Sequence, residues 1–498
     1  MIAIRSASPA KIAVFVGTVS SSQVVFSIRF AEELANEHDV VLIRPRVDRT
    51  SERIVSKHPK VRELRPEGCS IETFAAWAYD VPTNNKEKKT KQCTACKVTP
   101  QLHREVLTNL ANDSEFIQQL RDEQFDFAFT HHVDFGAIGI IHAAGIPQWG
   151  WVLSIPPASI LLHRVGMPIM SSLIPGIMFD FPQKMTFMQR MKNFAFDLMF
   201  ELRGRRKMME SHTAILRAAF GESFPHLSDL MDTCSLLVLN SNPNIEYPIP
   251  TASKVVYIGG FADQKVAKPL DEPFASFVEK AKNIVLISFG TIANGGMMPD
   301  YWREGLLELF RQNPGINFIW KMDMDIEVSS NVLRIDWQPQ SDILANEKTI
   351  AFITHAGYNS IGEAIATATP LITIPLFGDQ FRNSHLVTFR HLGLRVDKDN
   401  VSFETLNRAL HELIDDPSYR NAALELQAIQ RSAPVPPGDA LRSAVNFCLD
   451  HPHFDRDLPR LPIYQLYNLD VIGLLILVLF LALYLIHLLL SWLIGLVY

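Results

Sequence analysis

The feature that most restricts this chain is its apolar C-terminal end. From Val471 to Tyr498 it reads VIGLLILVLFLALYLIHLLLSWLIGLVY, with no Lys, Arg, Asp or Glu. A helix over this stretch reaches about 42 Å at ~1.5 Å per residue, more than the ~30 Å hydrocarbon core of a bilayer. The sequence therefore predicts one transmembrane helix over 471–498, with Tyr464, Tyr467, Trp492 and Tyr498 near the two interfaces. His487 is read as neutral or paired with another helix. Everything before the span must fold as a body tethered to a membrane. Ten residues (MIAIRSASPA) precede the first apolar run, KIAVFVG. They are too few and wrongly ordered for a secretory signal peptide, so targeting falls to the C-terminal helix or to residues upstream of Met1.

With 498 residues, the chain has room for two ordinary domains besides the anchor. Its 47 basic and 53 acidic side chains leave a net charge of −6, without the basic excess of a protein that tracks phosphate backbones. Nucleic acid is thus not an expected partner. The basic run Lys86–Lys91 (KEKKTK) reads as a solvated loop. Five cysteines do not make a disulfide framework. Cys93 and Cys96 form a lone CxxC, read as a surface loop with or without a local disulfide.

Apolar runs and helical patterns alternate along the body. Lys11–Val16, a helical pattern over Val24–Ala35 and Val40–Ile43 make a β-α-β opening. Phe125–Phe129, Gln148–Leu153 and Leu236–Leu239 read as later strands of the same sheet. After the Pro-rich segment 243–250, a second alternation has strands at Ile284–Ser288, Phe318–Lys321, Leu333–Ile335, Ile350–Thr354 and Leu371–Ile374. Its helices are expected at Tyr301–Gln312, Ser360–Thr367 and Phe403–Leu413. The expected division is an N-terminal domain over 11–250, a C-terminal domain over 251–455 and the anchor over 471–498. Ligands of such folds bind outside the carboxyl ends of the strands. The Met- and Phe-rich stretch 167–209 is either helical core or an apolar surface that lines a pocket or leans on a membrane.

The chemistry concentrates in WQPQSDILANEKTIAFITHAGYNSIGEAIATATPLITIPLFGDQ, residues 337–380. A strand feeds the turn His355-Ala356-Gly357, which opens a helix at Asn359-Ser360. Free N–H groups and the positive dipole end of such a helix suit a diphosphate. Glu363, one turn on, is placed to accept two vicinal hydroxyls. Each piece alone also has a structural reading: Ser360 with Glu363 as a capping box, Trp337 as a core aromatic, Asp379-Gln380 as a turn.

Taken in order and spacing, WxPQ, HxGxNSxxE and GDQ resemble the signature of the UDP-glycosyltransferases. VVYIGGF (255–261), LISFGT (286–291) and YNLDV (467–471) extend the resemblance over most of the chain, with a nematode-like look. The resemblance implies an α/β fold of GT-B type, two facing Rossmann-like domains plus the transmembrane helix. It also implies a UDP-sugar co-substrate, no further cofactor, no metal and a small lipophilic acceptor. Trp337 would stack on uracil, and Gln338 would read the base edge through its backbone. Gln340 and Glu363 would hold the ribose, and Thr291, His355, Asn359, Ser360 and the Gly357 backbone the diphosphate. Asp379 and Gln380 would bind the sugar. Glucose is the expected hexose, since invertebrate members mostly use it, with glucuronic acid as runner-up. A single-pass protein of the endoplasmic reticulum with a luminal body is implied, alone or as a homo- or hetero-oligomer.

One part of the family pattern breaks. A histidine after the first strand, held by an aspartate after a later one, takes the acceptor proton in this family. Alignment places Gln23 in the histidine's slot and His131 in the aspartate's. Glutamine is no base near neutral pH, though it can orient an acceptor. His131 or His132, with Asp134 nearby, is the alternative proton acceptor. Two functions are therefore expected: an active transferase, or an impaired UDP-sugar-binding paralogue that modulates a partner.

Overall fold

The computed structural model describes residues 9–17, 20–47, 52–74, 95–132, 134–177, 179–261, 268–290, 298–454 and 461–497. The Lys86–Lys91 run, Cys93 and Thr291 lie outside these residues.

Seven strands, β1 (Lys11–Phe15), β2 (Asp39–Ile43), β3 (Val61–Leu64), β4 (Phe127–His131), β5 (Trp149–Leu153), β6 (Leu236–Leu239) and β7 (Val255–Tyr257), form one parallel sheet. Its order is β3-β2-β1-β4-β5-β6-β7. Six more, β8 (Ile284–Ser288), β9 (Asn317–Lys321), β10 (Val332–Ile335), β11 (Thr349–Thr354), β12 (Leu371–Thr373) and β13 (Gly393–Arg395), form a second parallel sheet. Its order is β10-β9-β8-β11-β12-β13.

Parallel strands covered on both faces are read as unbroken apolar runs, and the central strands of both sheets are mostly such runs. Alternate residues feed opposite cores: Ala13 and Phe15 pack with Trp151, while Ile12 and Val14 pack with Phe127 and Phe129. The second sheet repeats this, with Val285 and Ile287 on one face and Ile284 and Leu286 on the other. In both sheets the strand order reverses after the first strand. That opens a crevice at the carboxyl edge between β1 and β4, and another between β8 and β11.

The expected domain division at 250/251 is displaced. β7 hydrogen-bonds to β6 and is the outer strand of the first sheet. A late helix also returns to that sheet: Leu441, Val445 and Cys448 pack with Val24, Phe30 and Leu236. Their spacing of four and three residues makes one apolar helix face. Arg442 of the same helix pairs with Glu33 and Glu37. The chain therefore crosses between the two bodies twice.

Four other helices matter below: α1 (Ser21–Leu34), α2 (Phe187–Met199), α3 (Tyr358–Ala366) and α4 (Gln380–Phe389). They are joined by α5 (Pro437–Asp450), the returning helix, and α6 (Leu469–Val497), which is long and apolar enough to cross a membrane. The 167–209 stretch divides. Met167, Met170 and Met209 are core, whereas α2 presents Phe187, Met188, Met191, Phe194 and Met199 to the outside.

A buried clamp ties the β6–β7 connection of the first body to the second body. Glu246 and Arg382, each only 1% exposed, pair at 2.8 Å. Tyr358 donates to the same carboxylate at 3.0 Å. Arg390 donates to the carbonyls of Ile245 and Glu246.

Candidate active site

The residues expected to hold the donor gather at the β8/β11 crevice. β11 ends at Thr354, and the turn His355-Ala356-Gly357 leads into α3 with Gly357 as its N-cap. Ala356 is buried at φ 64, a left-handed conformation unusual for a residue with a side chain. Asn383 of α4 holds it there, donating to its carbonyl at 3.0 Å. The imidazole of His355 is wedged between two glycine backbones. A Cβ on Gly290 would stand 2.8 Å from the ring, and one on Gly357 2.6 Å from Nε2. A side chain at either position would displace the ring, and the φ of 86 at Gly290 favours glycine there as well.

Burial, and then the Lys321 ammonium beside it, push the His355 pKa down to about 4, against a hydrogen bond to the Ser288 backbone. His355 is thus neutral at pH 7 and can donate one N–H. Lys321 ends β9 and donates to the Gly290 carbonyl. Burial lowers its pKa as well. The sequence reading missed this cation. Its signal was its position as the last residue of a predicted strand, at the carboxyl edge where ligands bind.

The two residues expected on the ribose do meet. Gln340 Nε2 donates to Glu363 Oε2 at 2.5 Å and to Ser360 Oγ at 3.1 Å. Ser341 donates to the other carboxylate oxygen, also at 2.5 Å. Trp337 is 39% exposed, unlike a core aromatic. The Arg53 guanidinium, from the first body, lies 4.9 Å from its ring centroid. Gln338 is buried, and its side-chain oxygen and nitrogen find no partner among the described residues. Asn359 accepts from Asn240, which follows β6 across the cleft, at 3.0 Å.

Asp379 precedes α4 without a side-chain capping bond and accepts from Asn383 at 2.7 Å, and burial raises its pKa. Asn383, also absent from the sequence reading, therefore couples this carboxylate to the His355 turn. Gln380 departs from expectation in one respect. Its side-chain oxygen accepts from the backbone of Leu376 and Phe377 at 2.8 and 3.1 Å. Any contact to a sugar falls to its amide nitrogen.

The residues expected on the acceptor side lie at the β1/β4 crevice of the first sheet. Gln23 lies in the first turn of α1, and its side-chain oxygen is buried without a partner among the described residues. His131 ends β4 and is 1% exposed. Its ring packs on Gly17, where a Cβ would come within 2.8 Å. Its Nε2 shares a hydrogen bond of 2.8 Å with Ser154, and its Nδ1 has no partner among the described residues.

Burial, with His132 at 4.3 Å between ring centroids, holds the His131 pKa well below the usual imidazole range. His132 is pushed down to about 3, again chiefly by burial. Asp134 is pushed up to about 6 by burial, opposed by the N–H groups of Ala137 and Gly136. Both imidazoles are therefore neutral and weakly basic at pH 7. That makes either a poor acceptor for an alcohol proton.

Comparison with known proteins shows the fold and the family. The Caenorhabditis elegans protein ugt-48 is 29% identical over 490 residues, covering 93% of this chain and 91% of the relative. Human UDP-glucuronosyltransferase 2B7 is 29% identical over 385 residues, covering 75% and 71%. Among solved structures, a UDP-glucosyltransferase from Polygonum tinctorium superposes with a TM-score of 0.61 at 17% identity, covering 89% of this chain and 99% of that one. CalG4, the calicheamicin glycosyltransferase, does so at 0.58 and 14%, covering 89% and 99%. These likenesses show the GT-B fold. The model of the family described as UDP-glucoronosyl and UDP-glucosyl transferase matches residues 27–493, and the chain belongs to that family.

Proposed function

We propose that this transferase moves glucose from UDP-glucose to a small lipophilic acceptor with inversion, without a strong side-chain base. The observation that carries the donor assignment is the convergence of Trp337, the Gln340–Glu363 pair, His355 and Asp379 on one sheet edge. In this reading the acceptor oxygen or nitrogen attacks the anomeric carbon as its bond to the β-phosphate breaks. The charge that develops on departing UDP meets the α3 N-terminus, the His355 N–H and the Lys321 ammonium. The acceptor proton passes to water. That favours phenols and amines over alcohols, because they need less help to become nucleophiles. Glucuronic acid is the alternative hexose, and an endoplasmic reticulum membrane with a luminal body is the proposed setting.

The second reading, a UDP-sugar-binding paralogue that modulates an active partner, is favoured by one observation. The β1/β4 crevice holds a glutamine and a neutral buried histidine where proton transfer would be needed. One experiment separates the two: full-length protein with UDP-glucose or UDP-glucuronate and a panel of phenols, amines and alcohols. UDP release and product mass are the readouts. Phenol and amine glucosides support the first reading. Tight UDP-sugar binding with no product from any acceptor supports the second. Alcohols turned over as fast as phenols of equal hydrophobicity would show a working base and overturn the mechanism.

Two substitutions test the donor site. Trp337→Ala should cost about 1–3 kcal/mol of UDP affinity by titration calorimetry, the scale of base–aromatic stacking. Unchanged affinity would remove Trp337 from the site. Asp379→Ala should weaken UDP-glucose far more than UDP, since only the former offers sugar hydroxyls. Equal losses would make Asp379 a support for Asn383 and the His355 turn instead.

A further inference from the structure

Helix α2 is built inside out. Its buried residues are Asn193 and Asp197, while Phe187, Met188, Met191, Phe194 and Met199 are 44–71% exposed, followed by Leu202 at 68% in the next turn. The polar pair is fully engaged with the 171–176 loop. Asn193 donates to the carbonyls of Ser171 and Ile174 and accepts from the Gly176 N–H, and Asp197 accepts from the Ser171 hydroxyl. The apolar face is thus directed outward by specific bonds on its opposite side. Exposed apolar patches of this kind mark an interaction surface.

Two observations identify what covers it. Ile169, two residues ahead of this same loop, accepts a hydrogen bond at its carbonyl from Tyr467, two residues ahead of α6. The patch therefore adjoins the point where the chain enters the membrane. Its charge also suits an anionic surface. Between positions 184 and 207 stand Lys184, Arg190, Lys192, Arg203, Arg205, Arg206 and Lys207 against Asp197 and Glu201; Arg205 pairs with Asp232 and Arg206 with Asp229, which leaves the other five basic residues outside those pairs. Asp197 is buried and Glu201 pairs with Arg164. An apolar stripe flanked by basic residues fits the headgroup–acyl boundary of a bilayer.

From this we infer that α2 is a second membrane contact, lying in the interface beside α6 and seating the first body on the lipid surface. The inference rests on α6 spanning the bilayer. Its test uses the full chain, one copy per nanodisc of phosphatidylcholine with phosphatidylserine. Nitroxide labels at Met191→Cys, at Leu424→Cys on the second body and at Leu481→Cys within α6 are read against the chain without the added cysteine. The ratio of oxygen to nickel-chelate collision should be several-fold higher at 191 than at 424, and highest at 481.

Equal ratios at 191 and 424, with 481 protected, would overturn the α2 contact alone. An unprotected 481 would overturn the membrane span and the contact together. Protection of 191 found only in discs holding two copies would assign the patch to a second copy of the chain. A second variant, Met191→Asp with Phe194→Asp, changes only exposed positions. It should lower the ratio at a label on Met199→Cys to the value at 424, and an unchanged ratio there would also overturn the proposal.

Discussion

Gln23→His should raise turnover toward alcohol acceptors while leaving UDP-glucose affinity nearly unchanged. The effect follows from location: Gln23 stands in the first turn of α1, at the crevice of the first sheet, with a buried oxygen that no described residue satisfies. A general base is worth ~10²–10⁴-fold when its imidazole is oriented and its charged form stabilised. The single change should gain less than that. The neighbouring slot holds His131, a neutral ring bound to Ser154, which offers no negative charge to an imidazolium.

Gln23→His with His131→Asp should therefore lower the barrier by more than the two single changes added together. Burial near 131 works against the new carboxylate, as the raised pKa of Asp134 shows, so His131→Asp alone should gain nothing. The measurement is kcat/KM for one alcohol and one phenol across all four chains. Additive effects would show that the two positions do not act as a base and its partner. A wild-type activity abolished by His131→Ala would instead make His131 the working base.

What could be read from the sequence followed physical legibility. Long buried strands announce themselves as apolar runs, and nearly all of the central ones were visible. The donor turn was visible because its residues lie within one strand–turn–helix unit, where spacing in sequence is spacing in space. β3, β7 and β13 were missed: three or four residues carry no periodicity, and their pairing is decided by the sheet edge they meet. The return of α5 to the first sheet was hidden for a related reason. An apolar helix face states that it will be buried and not against what. Lys321 and Asn383 come from other elements than the motif, so only the folded sheet brings them to His355. The ambiguity at 167–209 was one of direction: the same methionines and phenylalanines suit a core or a membrane face, and only the inward bonds of Asn193 and Asp197 decide for α2.

The Glu246–Arg382 clamp should be the most costly side-chain pair to break. Both groups are 1% exposed, so Glu246→Ala leaves a guanidinium buried with its countercharge removed, a loss of about 3–5 kcal/mol. Stacking of Arg382 on Tyr247, at 4.8 Å from the ring centroid, does not replace that charge. The damage should also reach the donor site. Tyr358, which loses its acceptor, is the residue directly after Gly357, and its backbone begins the helix whose N-terminus is proposed to hold the diphosphate. UDP affinity should fall along with stability, although Glu246 touches no part of the proposed donor.

Removing both charges separates the two effects. Glu246→Ala with Arg382→Met should be less destabilised than Glu246→Ala, because no unpaired charge stays buried, yet Tyr358 remains without the Glu246 carboxylate. Stability recovered without UDP affinity recovered would assign the clamp's functional role to Tyr358. Urea midpoints at constant slope and UDP titrations on the four chains supply the cycle. A Glu246→Ala protein within about 1 kcal/mol of the wild type would place the clamp among pairs whose desolvation cancels their attraction, and the β6–β7 connection would then be held to the second body by Arg390 and its backbone carbonyls instead.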